Sequence, residues 1–384
     1  MLFSPAISEA EIRAVQDGIA NDVRGDGRTL TQRRPFTIRK KYNAGASIVD
    51  VEYDGSCVEV QCGATTVVAA ATPSIIELSE SGEAAPRKRM RGPLFISIDA
   101  VPAVVDYYAQ ALRNRGGRYR LAFLSFVATT ISQTFGAEGV TVREQLGLAE
   151  AELVDDGDDD DAATTAGGVN EEGAGGGLRQ GRIPAEEEEG DGGGGFPGEE
   201  LYIGGGYAFR IDVDVHVLQT NDGNLPSVIS LAVHAALKAV KLPSVTLHET
   251  SGGVSLEVDR SKPFLRPVDW SRLPVLTVLL ISPTRHYVVD PTPLEELALP
   301  QQLLLAMNAA GHVCYMRYQQ LPSRRGNAWR QEKGCCERGE LDDTAGSFLP
   351  AGMNVPDLAA MLHDGSYICQ AIISECDEAL HNSR

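Results

Sequence analysis

Two short stretches of the chain hold residue types that could handle phosphate or metal ions. Residues 222–227, DGNLPS, place a glycine before an expected helix start, where backbone N–H groups and a hydroxyl could bind an anion. Asp290 and Glu296 are carboxylates six residues apart that could hold a divalent metal or transfer protons. Both stretches therefore hold candidate residues for such chemistry, and the site that they would form is implied only by a family resemblance.

The first stretch is poorly equipped for that task. Gly223 permits a turn, but the side chain of Leu225 offers no hydrogen-bond donor and Pro226 lacks even a backbone N–H. Ser227 could contact an anion, and the alternative interpretation is an ordinary helix start. Asp290 also has a structural interpretation, because it could cap the helix expected to begin near residue 293.

Histidine and cysteine spacing predicts no metal site and no cofactor. His216, His234, His248 and His286 fit neither metal-ligand nor triad spacing, and His234 lies in an apolar helical run typical of a core. The seven cysteines include no CxxC pair. An odd, scattered set favours reduced thiols over a disulfide framework.

Composition predicts a globular chain with a separate acidic segment. Of the 384 residues, 43% are hydrophobic, which is enough for a sizeable core. No apolar run is long enough for a membrane span, and the N-terminus lacks signal-peptide features. Residues 151–200 hold sixteen acidic and two basic residues, so most of the net charge of −19 belongs to them. Charge repulsion and fourteen glycines predict that residues 151–200 are disordered.

Apolar periodicity predicts strands followed by helices, twice, on the two sides of that segment. A capping box at Ser8 and Glu11 predicts a first helix. Before the acidic segment we expect strands 36–41, 47–53, 57–62, 65–72 and 94–101, then a helix over 121–134. After it we expect strand 207–219, helix 225–240, hairpins 245–258 and 275–289, helix 293–310, strand 312–320 and helical residues 355–379.

This order predicts an α+β fold with helices on one face of the sheets. The acidic segment would interrupt a single domain rather than end it. The expected organisation is an N-terminal helix (1–20), a domain (21–325) with halves 36–150 and 201–325 around the insertion 151–200, a second insertion (324–349) and C-terminal helices (350–384).

Four motifs in order resemble the RNase PH-like family as it occurs in the RNA exosome ring. They are DVRGDGR at 22–28, AGAS at 44–47, IDVDVHVL with DGNL and a following helix at 211–240, and VVDPTPLEE at 288–296. The resemblance covers about residues 20–150 and 200–325. It implies a β-α-β-α RNase PH fold, pairwise dimers with other RNase PH-like subunits, and a six-membered ring around an RNA pore.

The resemblance also sharpens the interpretation of the first two stretches. Active members place hydroxyls and an arginine at the helix start, where this chain has Leu225 and Pro226, and they pair two aspartates. Glu296 replaces the second aspartate, and its extra methylene shifts the carboxylate by about an ångström, which catalysis tolerates poorly. We therefore expect no catalytic residues, and Gly223, Leu225, Pro226, Ser227, Asp290 and Glu296 would be remnants of a former site.

Two basic clusters are candidates for contacting RNA. In ring relatives these regions lie near the pore and the dimer interface. Arginine and lysine neutralise phosphates without reading sequence, and arginine also stacks on bases. A solvated basic loop, or one that meets an acidic neighbour, is the alternative for both clusters. The candidates are Arg87, Lys88, Arg89 and Arg91, and then Arg113, Arg115, Arg118 and Arg120.

The expected function is that of a non-catalytic ring subunit in RNA processing and degradation. The implied partners are other RNase PH-like subunits, cap subunits with S1/KH domains, RNA and a hydrolytic nuclease, in the nucleus, nucleolus and cytoplasm. An active phosphate-dependent exoribonuclease is one alternative. A non-RNA scaffold that uses its acidic insertion to bind a basic protein is the other.

Overall fold

A computed structural model describes eight stretches of the chain. They are residues 7–41, 55–78, 90–105, 122–144, 195–250, 253–299, 301–320 and 355–382. Contacts divide the chain into two units, Met1–Gln145 with Gly194–Arg384, and Leu146–Gly193, and all the described residues belong to the first. The predicted strand 47–53, most of the acidic insertion and the second insertion lie outside the described residues.

The first helix, α1 (Glu9–Ala20), forms as its capping box predicts. The Ser8 hydroxyl accepts the Glu11 N–H at 3.2 Å, and the Glu11 carboxylate accepts the Ser8 N–H at 2.7 Å. These reciprocal bonds satisfy two donors that a helix start leaves open. Ile19 is buried near the end of the helix, which anchors α1 to the core.

A seven-stranded sheet forms the first layer of the described fold. Strands β1 (Phe36–Lys40), β2 (Ser56–Cys62) and β3 (Thr65–Glu77) form an antiparallel meander in which β1 pairs with β2 and β2 with β3. Every second residue is buried over Val58–Cys62 of β2 and Thr65–Ala71 of β3, as the alternation predicted. The remaining strands are β4 (Leu94–Ala100), β5 (Gly139–Glu144), β6 (Tyr202–Gly204) and β7 (Tyr207–Thr220).

Strand β7 lies at the centre of this sheet although the insertion separates it from β3 and β4 in sequence. It pairs antiparallel with β3 and parallel with β4, giving the order β1-β2-β3-β7-β4-β5, and β6 pairs with β7. Helix α2 (Ala122–Phe135) precedes β5 and packs on β4 and β5. Residues from both sides of the insertion therefore build one sheet.

Helix α3 (Leu225–Ala239) packs against both of the larger sheets and begins beside the candidate site. It contacts β2, β3 and β7 on one side and strand β10 (Val275–Ile281) on the other. Nearly all its residues are buried, as its small and apolar side chains allow. In the sequence between α3 and β10, strands β8 (Pro243–Thr250) and β9 (Gly253–Pro263) pair antiparallel as a separate two-stranded sheet.

The second larger sheet completes the predicted α+β class. Its order is β11-β10-β12-β13, and the C-terminal helix α5 packs on β1, β10 and β12. None of the helices in the described residues is long and apolar enough to cross a membrane. The elements after β10 are β11 (Tyr287–Val289), α4 (Pro293–Ala298), β12 (Gln301–Met307), β13 (Val313–Gln320) and α5 (Val355–Asn382).

Two sequence predictions about these elements are wrong. The helix expected over 293–310 ends at Ala298, and Gln301–Met307 is the strand β12. Pairing with strands on both sides and burial of all but Gln301 outweigh the helix propensity of its leucines. The insertion expected to be disordered up to residue 200 ends earlier, because Phe196 is 3% exposed and Gly198–Leu201 form a 3-10 turn.

Candidate functional site

The segment between α1 and β1 brings a buried arginine onto the start of α4. Arg24 forms a two-pronged ion pair with Glu295, with Nε–Oε1 and Nη2–Oε2 distances of 2.8 and 2.7 Å. It also donates to the carbonyl oxygens of Val289 and Asp290 at 3.0 and 3.1 Å. Its side chain has no solvent exposure. Arg24 therefore fixes the segment before β1 to the turn that carries Asp290.

Asp290 lies at the centre of this cluster and accepts five hydrogen bonds. Oδ1 accepts from Arg34 Nη2 at 2.6 Å and from Asn224 Nδ2 at 2.7 Å. Oδ2 accepts from Arg28 Nη1 and from the backbone N–H and Nε of Arg34, each at 2.8 Å. The residue Asp290 is 5% exposed, so its carboxylate oxygens are bound by protein donors rather than by water.

The protonation state of Asp290 follows from these partners. Burial alone would raise its pKa, but the hydrogen bonds and positive charge of Arg34, with Asn224, outweigh burial and hold the pKa below its ordinary value. The same pair raises the pKa of Arg34 despite its own burial. Asp290 is therefore a charged carboxylate that forms an internal ion pair with Arg34.

Asp290 does not cap α4, so the capping interpretation is wrong. Thr292 is the N-cap, and its hydroxyl accepts the Glu295 N–H at 3.4 Å while the Glu295 carboxylate accepts the Thr292 N–H at 2.8 Å. Asp290 has a left-handed backbone, with φ of 50°, which places it before the capping turn. Its carboxylate is thereby turned toward the arginines.

The start of α3 lies against the same cluster. Gly223 has a φ of +72°, and a Cβ there would lie 3.0 Å from the backbone nitrogen of Pro293, so a side chain would be excluded. Asn224 is also left-handed, and its N–H donates to Glu296 Oε1 at 2.7 Å. Burial raises the pKa of Glu296 to about 7. The Glu296 carboxyl, with a pKa of about 7, therefore joins the start of α3 to α4.

The remaining positions of the helix start provide little for phosphate. Leu225 is completely buried, and Pro226 is buried in the first turn. Ser227 is half-buried, and its Oγ has no hydrogen-bond partner among the described residues. The prediction that Leu225 and Pro226 offer no side-chain donor to phosphate stays a prediction.

A cleft of about 440 Å³, counted with its open mouth, lies beside the helix start. Arg33, Arg34, Asn224, Ser227 and Asp290 are polar residues that line it. Arg33 lies over the Phe36 ring at 5.1 Å and forms an ion pair with Glu375 of α5. The apolar lining comes from Phe36, Val228, Leu231, Val275, Val289 and Ile372 among others.

The RNA-contact candidates are mostly outside this region. Residues 87–89 and 113–120 lie outside the described residues, so Arg87, Lys88, Arg89, Arg113, Arg115, Arg118 and Arg120 stay predictions. Arg91 is described, and its side chain is half-buried and packs on the backbone of Gly198. That contact ties Arg91 to the 3-10 turn before β6.

The other titratable residues do not add to the site. His234 Nδ1 donates to the Pro274 carbonyl at 3.0 Å, and burial lowers its pKa to about 4, as expected for a neutral core histidine. His248 pairs with Glu257, and His286 contacts Thr284, both near the surface. Within the described residues, no group of three His, Cys, Asp or Glu could hold a metal ion.

Four residues that organise the site were not assigned a role by sequence reasoning. Arg24 and Arg28 lie in the DVRGDGR motif, which was recognised only as a signature, while Arg34 and Asn224 carried no expectation. Their partners lie far along the chain, on the turn before α4. Two arginines four residues apart, next to acidic residues, were the available signal for an ion-pair cluster.

Comparisons with known proteins give a partial sequence relationship. No protein-family model matches the chain. The exosome complex component Rrp42 of Pyrococcus horikoshii is 34% identical over 101 residues, which are 26% of this chain and 34% of that protein. Rrp42 of Pyrobaculum aerophilum is 37% identical over 101 residues, 26% of this chain and 35% of its own length. The match thus spans about a third of these relatives. The ISEAEI and VVDPTPLEE runs resemble the same subunit, ribosomal RNA-processing protein 42.

Solved structures extend the likeness to the whole fold. A chain described as "Archaeal exosome core" covers 96% of this chain and 97% of its own length, with a TM-score of 0.51 and 17% identity. A chain of the structure described as Archaeoglobus fulgidus exosome with RNA bound to the active site covers 96% of this chain and 98% of its own length. Its TM-score is 0.51 and its sequence identity is 17%. The predicted resemblance to RNase PH-like exosome ring subunits is confirmed, as a shared fold with a partial relationship to Rrp42.

Proposed function

We propose that the chain is a non-catalytic, ring-forming subunit of an RNA exosome-type core that contributes structure and RNA guidance to 3′→5′ RNA processing and degradation. The fold and the partial relationship to Rrp42 support the ring role. One observation carries the non-catalytic part: the carboxylate of Asp290 already accepts five protein hydrogen bonds.

This occupancy argues against metal or proton chemistry at Asp290. A divalent metal would have to displace Arg28 and Arg34 from the carboxylate oxygens and would then lie beside two positive charges. Arg34 is itself held by the carbonyl oxygen of Asp222 at 2.7 Å. Releasing the carboxylate would break a buried charge cluster, which costs several kcal/mol, about 3 to 5 by precedent.

The helix start supports the same proposal. Phosphate binding at a helix start uses free N–H groups, hydroxyls and a guanidinium. Here the Asn224 N–H is taken by Glu296, Pro226 has no N–H, and Leu225 points into the core. Among the side chains of residues 222–227, Ser227 has a hydroxyl without a partner in the described residues, and one hydroxyl is a weak phosphate site.

The proposed partners follow from the ring role. Other RNase PH-like subunits would form the dimer and the six-membered ring, with S1/KH cap subunits, RNA and a hydrolytic nuclease attached to it. The basic clusters at residues 87–91 and 113–120 would guide RNA by phosphate contacts. Such a complex would act in ribosomal RNA processing in the nucleus and nucleolus and in RNA decay in the cytoplasm.

Native mass spectrometry of the tagged full-length chain from cell extract tests the ring role. We expect a stable set of six RNase PH-like chains with cap subunits. Recovery of the chain as a lone monomer would contradict the ring. Deleting residues 151–194, which keeps Phe196 and the 3-10 turn Gly198–Leu201 in place, should leave assembly intact, whereas loss of its associated proteins without loss of the ring would favour the acidic scaffold instead.

A second candidate function, active phosphorolysis, is favoured by one observation. Glu296 has a pKa of about 7, which suits a proton donor or acceptor, and its carboxylate lies at the helix start that also carries Ser227. Phosphate-dependent release of nucleoside diphosphates from poly(A) by the assembled complex separates the two. We expect the same rate with Glu296→Gln and Ser227→Ala as with the unaltered chain, and loss of release in either variant would favour catalysis.

A further inference from the structure

An exposed leucine lies just after β9, on a backbone that is held on both sides. Leu265 is 83% exposed. Before it, the ring of Phe264 packs edge-on against Phe209, with the ring centroids 5.1 Å apart. After it, Arg266 Nη1 donates to the Tyr202 carbonyl oxygen at 2.8 Å. Because its neighbours on both sides are anchored, Leu265 is displayed at a defined position of the surface.

The end of β9 before this leucine bulges outward and displays two cations. One step along β8, from Pro243 to Ser244, corresponds to a step of four residues along β9. Residues 260–262 therefore lie outside the ladder as a bulge, and Arg260 and Lys262 are exposed. Bulges re-aim side chains, and this one turns two basic side chains toward solvent.

Asp259 holds the bulge from within the hairpin. Its Oδ1 accepts the Ser261 N–H at 3.0 Å and the Ser261 hydroxyl at 2.5 Å, and its Oδ2 pairs with Lys262 Nζ at 2.9 Å. Glu257, the next acidic residue along β9, pairs with His248 at 3.0 Å. Both nearby carboxylates are therefore engaged inside the hairpin.

Positive charge accumulates around the leucine although the chain has a net charge of −19. Residues 258–266 hold three basic residues and one acidic residue, and the exposed Lys241 lies beside them just before β8. The pair Asp259–Lys262 cancels, so two arginines and Lys241 leave a local positive charge. We call this surface, made by Lys241 and residues 258–266, the hairpin root. An anionic partner is attracted here and repelled by the chain as a whole.

The strand pairing gives the dimensions of the hairpin root. Val258, which is 43% exposed, pairs with Val245, and the Phe264 N–H donates to the Leu242 carbonyl at 2.9 Å. Three residues of extended chain separate Val245 from Leu242, which is about 10 Å, and Leu265 lies one residue farther. Two exposed apolar side chains thus lie about 13 Å apart, with the basic bulge between them, and about four residues of an extended peptide cover that distance.

These side chains favour a protein partner over RNA. Proteins bind unpaired bases by stacking them on aromatic rings, and the aromatic residue of the hairpin root, Phe264, is half-buried against Phe209. Valine and leucine instead gain free energy by burying apolar side chains of a partner. Cations between two apolar contacts complement carboxylates between two apolar residues.

We propose that the hairpin root binds an extended acidic segment of another protein, in which two apolar residues about four positions apart flank carboxylates. The carboxylates pair with Arg260 and Arg266, and the apolar side chains pack on Val258 and Leu265. This interaction needs neither the ring nor a catalytic group, so it goes beyond the proposed function.

Fluorescence anisotropy of labelled peptides with the full-length chain tests the chemistry. The probe is a peptide in which two leucines flank three aspartates. One control peptide replaces the leucines with serines, a second replaces the aspartates with serines, and a labelled oligouridylate provides the RNA comparison. We expect saturable binding of the probe, about tenfold or more tighter than that of either control peptide or the RNA, and weaker as salt is added. Equal binding of a control peptide, tighter binding of the RNA, or absence of saturable binding would each overturn the proposal.

Variants of the hairpin root locate the binding. Leu265→Ser should weaken the probe about tenfold by removing one apolar contact, and Arg260→Glu should weaken it about five- to tenfold by replacing an attraction with a repulsion. Both residues are exposed, so we expect an unchanged circular dichroism spectrum. The matched controls are Leu218→Ser, at a residue 45% exposed, and Arg13→Glu, and both should leave the affinity within about twofold. Equal losses in control and root variants would place the peptide elsewhere and contradict the proposal.

Discussion

The two ends of the candidate site treat their buried polar groups in opposite ways. At the carboxylate end, Asp290 and Glu295 keep their charges and are bound by Arg24, Arg28 and Arg34. At the helix start, Asn224 Oδ1 and Ser227 Oγ are buried with no hydrogen-bond partner among the described residues. A buried charge without a partner costs several kcal/mol, so the carboxylates are paired and join distant segments. A neutral polar group without a partner costs less and can remain unpaired. The following variants test this contrast.

Arg24→Met should have the largest effect on stability. It leaves Glu295 as a buried charge without its partner and removes the donors to two carbonyl oxygens. We expect the free energy of unfolding to fall by about 5 kcal/mol in urea titration. Arg13→Met, in an exposed pair with Glu9, is the matched control and should cost less than about 0.5 kcal/mol. Adding Glu295→Gln to Arg24→Met should restore part of the loss, and equal costs for Arg24 and Arg13 would refute the buried link.

Asp290→Asn should cost less, about 3 kcal/mol of unfolding free energy, because the amide keeps the shape and one acceptor but removes a buried charged partner from both Arg28 and Arg34. The folded-state pKa of Asp290 is below its ordinary 3.8, so its contribution is present above pH 3.8 and is lost as the pH falls through the folded value. The difference between the two proteins should therefore shrink in acid. A difference that is constant from pH 7 to pH 3 would contradict the ion pair.

Glu296→Gln should change how the free energy of unfolding varies with pH. The change should be on the order of 2 kcal/mol. Because burial raises the folded-state pKa of Glu296 from 4.5 to about 7, its contribution is complete below pH 4.5 and is lost as the pH rises through 7. The unaltered chain should lose stability relative to Glu296→Gln across that interval, as followed by urea unfolding at each pH. Parallel curves for both proteins would show that Glu296 titrates normally.

Ser227→Ala should have the smallest effect, within about 0.5 kcal/mol of the unaltered chain, because its hydroxyl has no partner among the described residues to lose. Thermal unfolding of the two proteins side by side measures it. A loss above about 1.5 kcal/mol would mean that Ser227 makes a bond that stabilises the fold, and the contrast between the two ends of the site would fail.

Much of the fold follows from local patterns in the sequence. The Ser8–Glu11 capping box, the alternation along Tyr207–Thr220 and the apolar face of Ala122–Phe135 predicted elements that the structure confirms within a few residues. The run QQLLLAM was misassigned because a short apolar stretch fits a buried strand or a buried helix equally well. Its pairing with β10 and β13 is a long-range property that no local pattern contains.

The candidate site, like the fold, was only partly predictable from local patterns in the sequence. Motif comparison found the positions of Gly223, Ser227, Asp290 and Glu296, but it did not indicate what Asp290 touches. That contact requires the segment before β1 to lie on the turn before α4, and Arg24 and Arg34 achieve this through bonds to distant residues. Sequence spacing within each motif carries no information on this docking.

The central position of β7 has a consequence for synthesis of the chain. Strands β3 and β4 leave the ribosome before the acidic segment, but the strand that fits between them, β7, is made after it. Until then, the facing edges of two apolar strands remain open, and such edges invite pairing with other chains. The acidic segment emerges during this interval, and its negative charge would keep nascent chains apart on a polysome until β7 arrives.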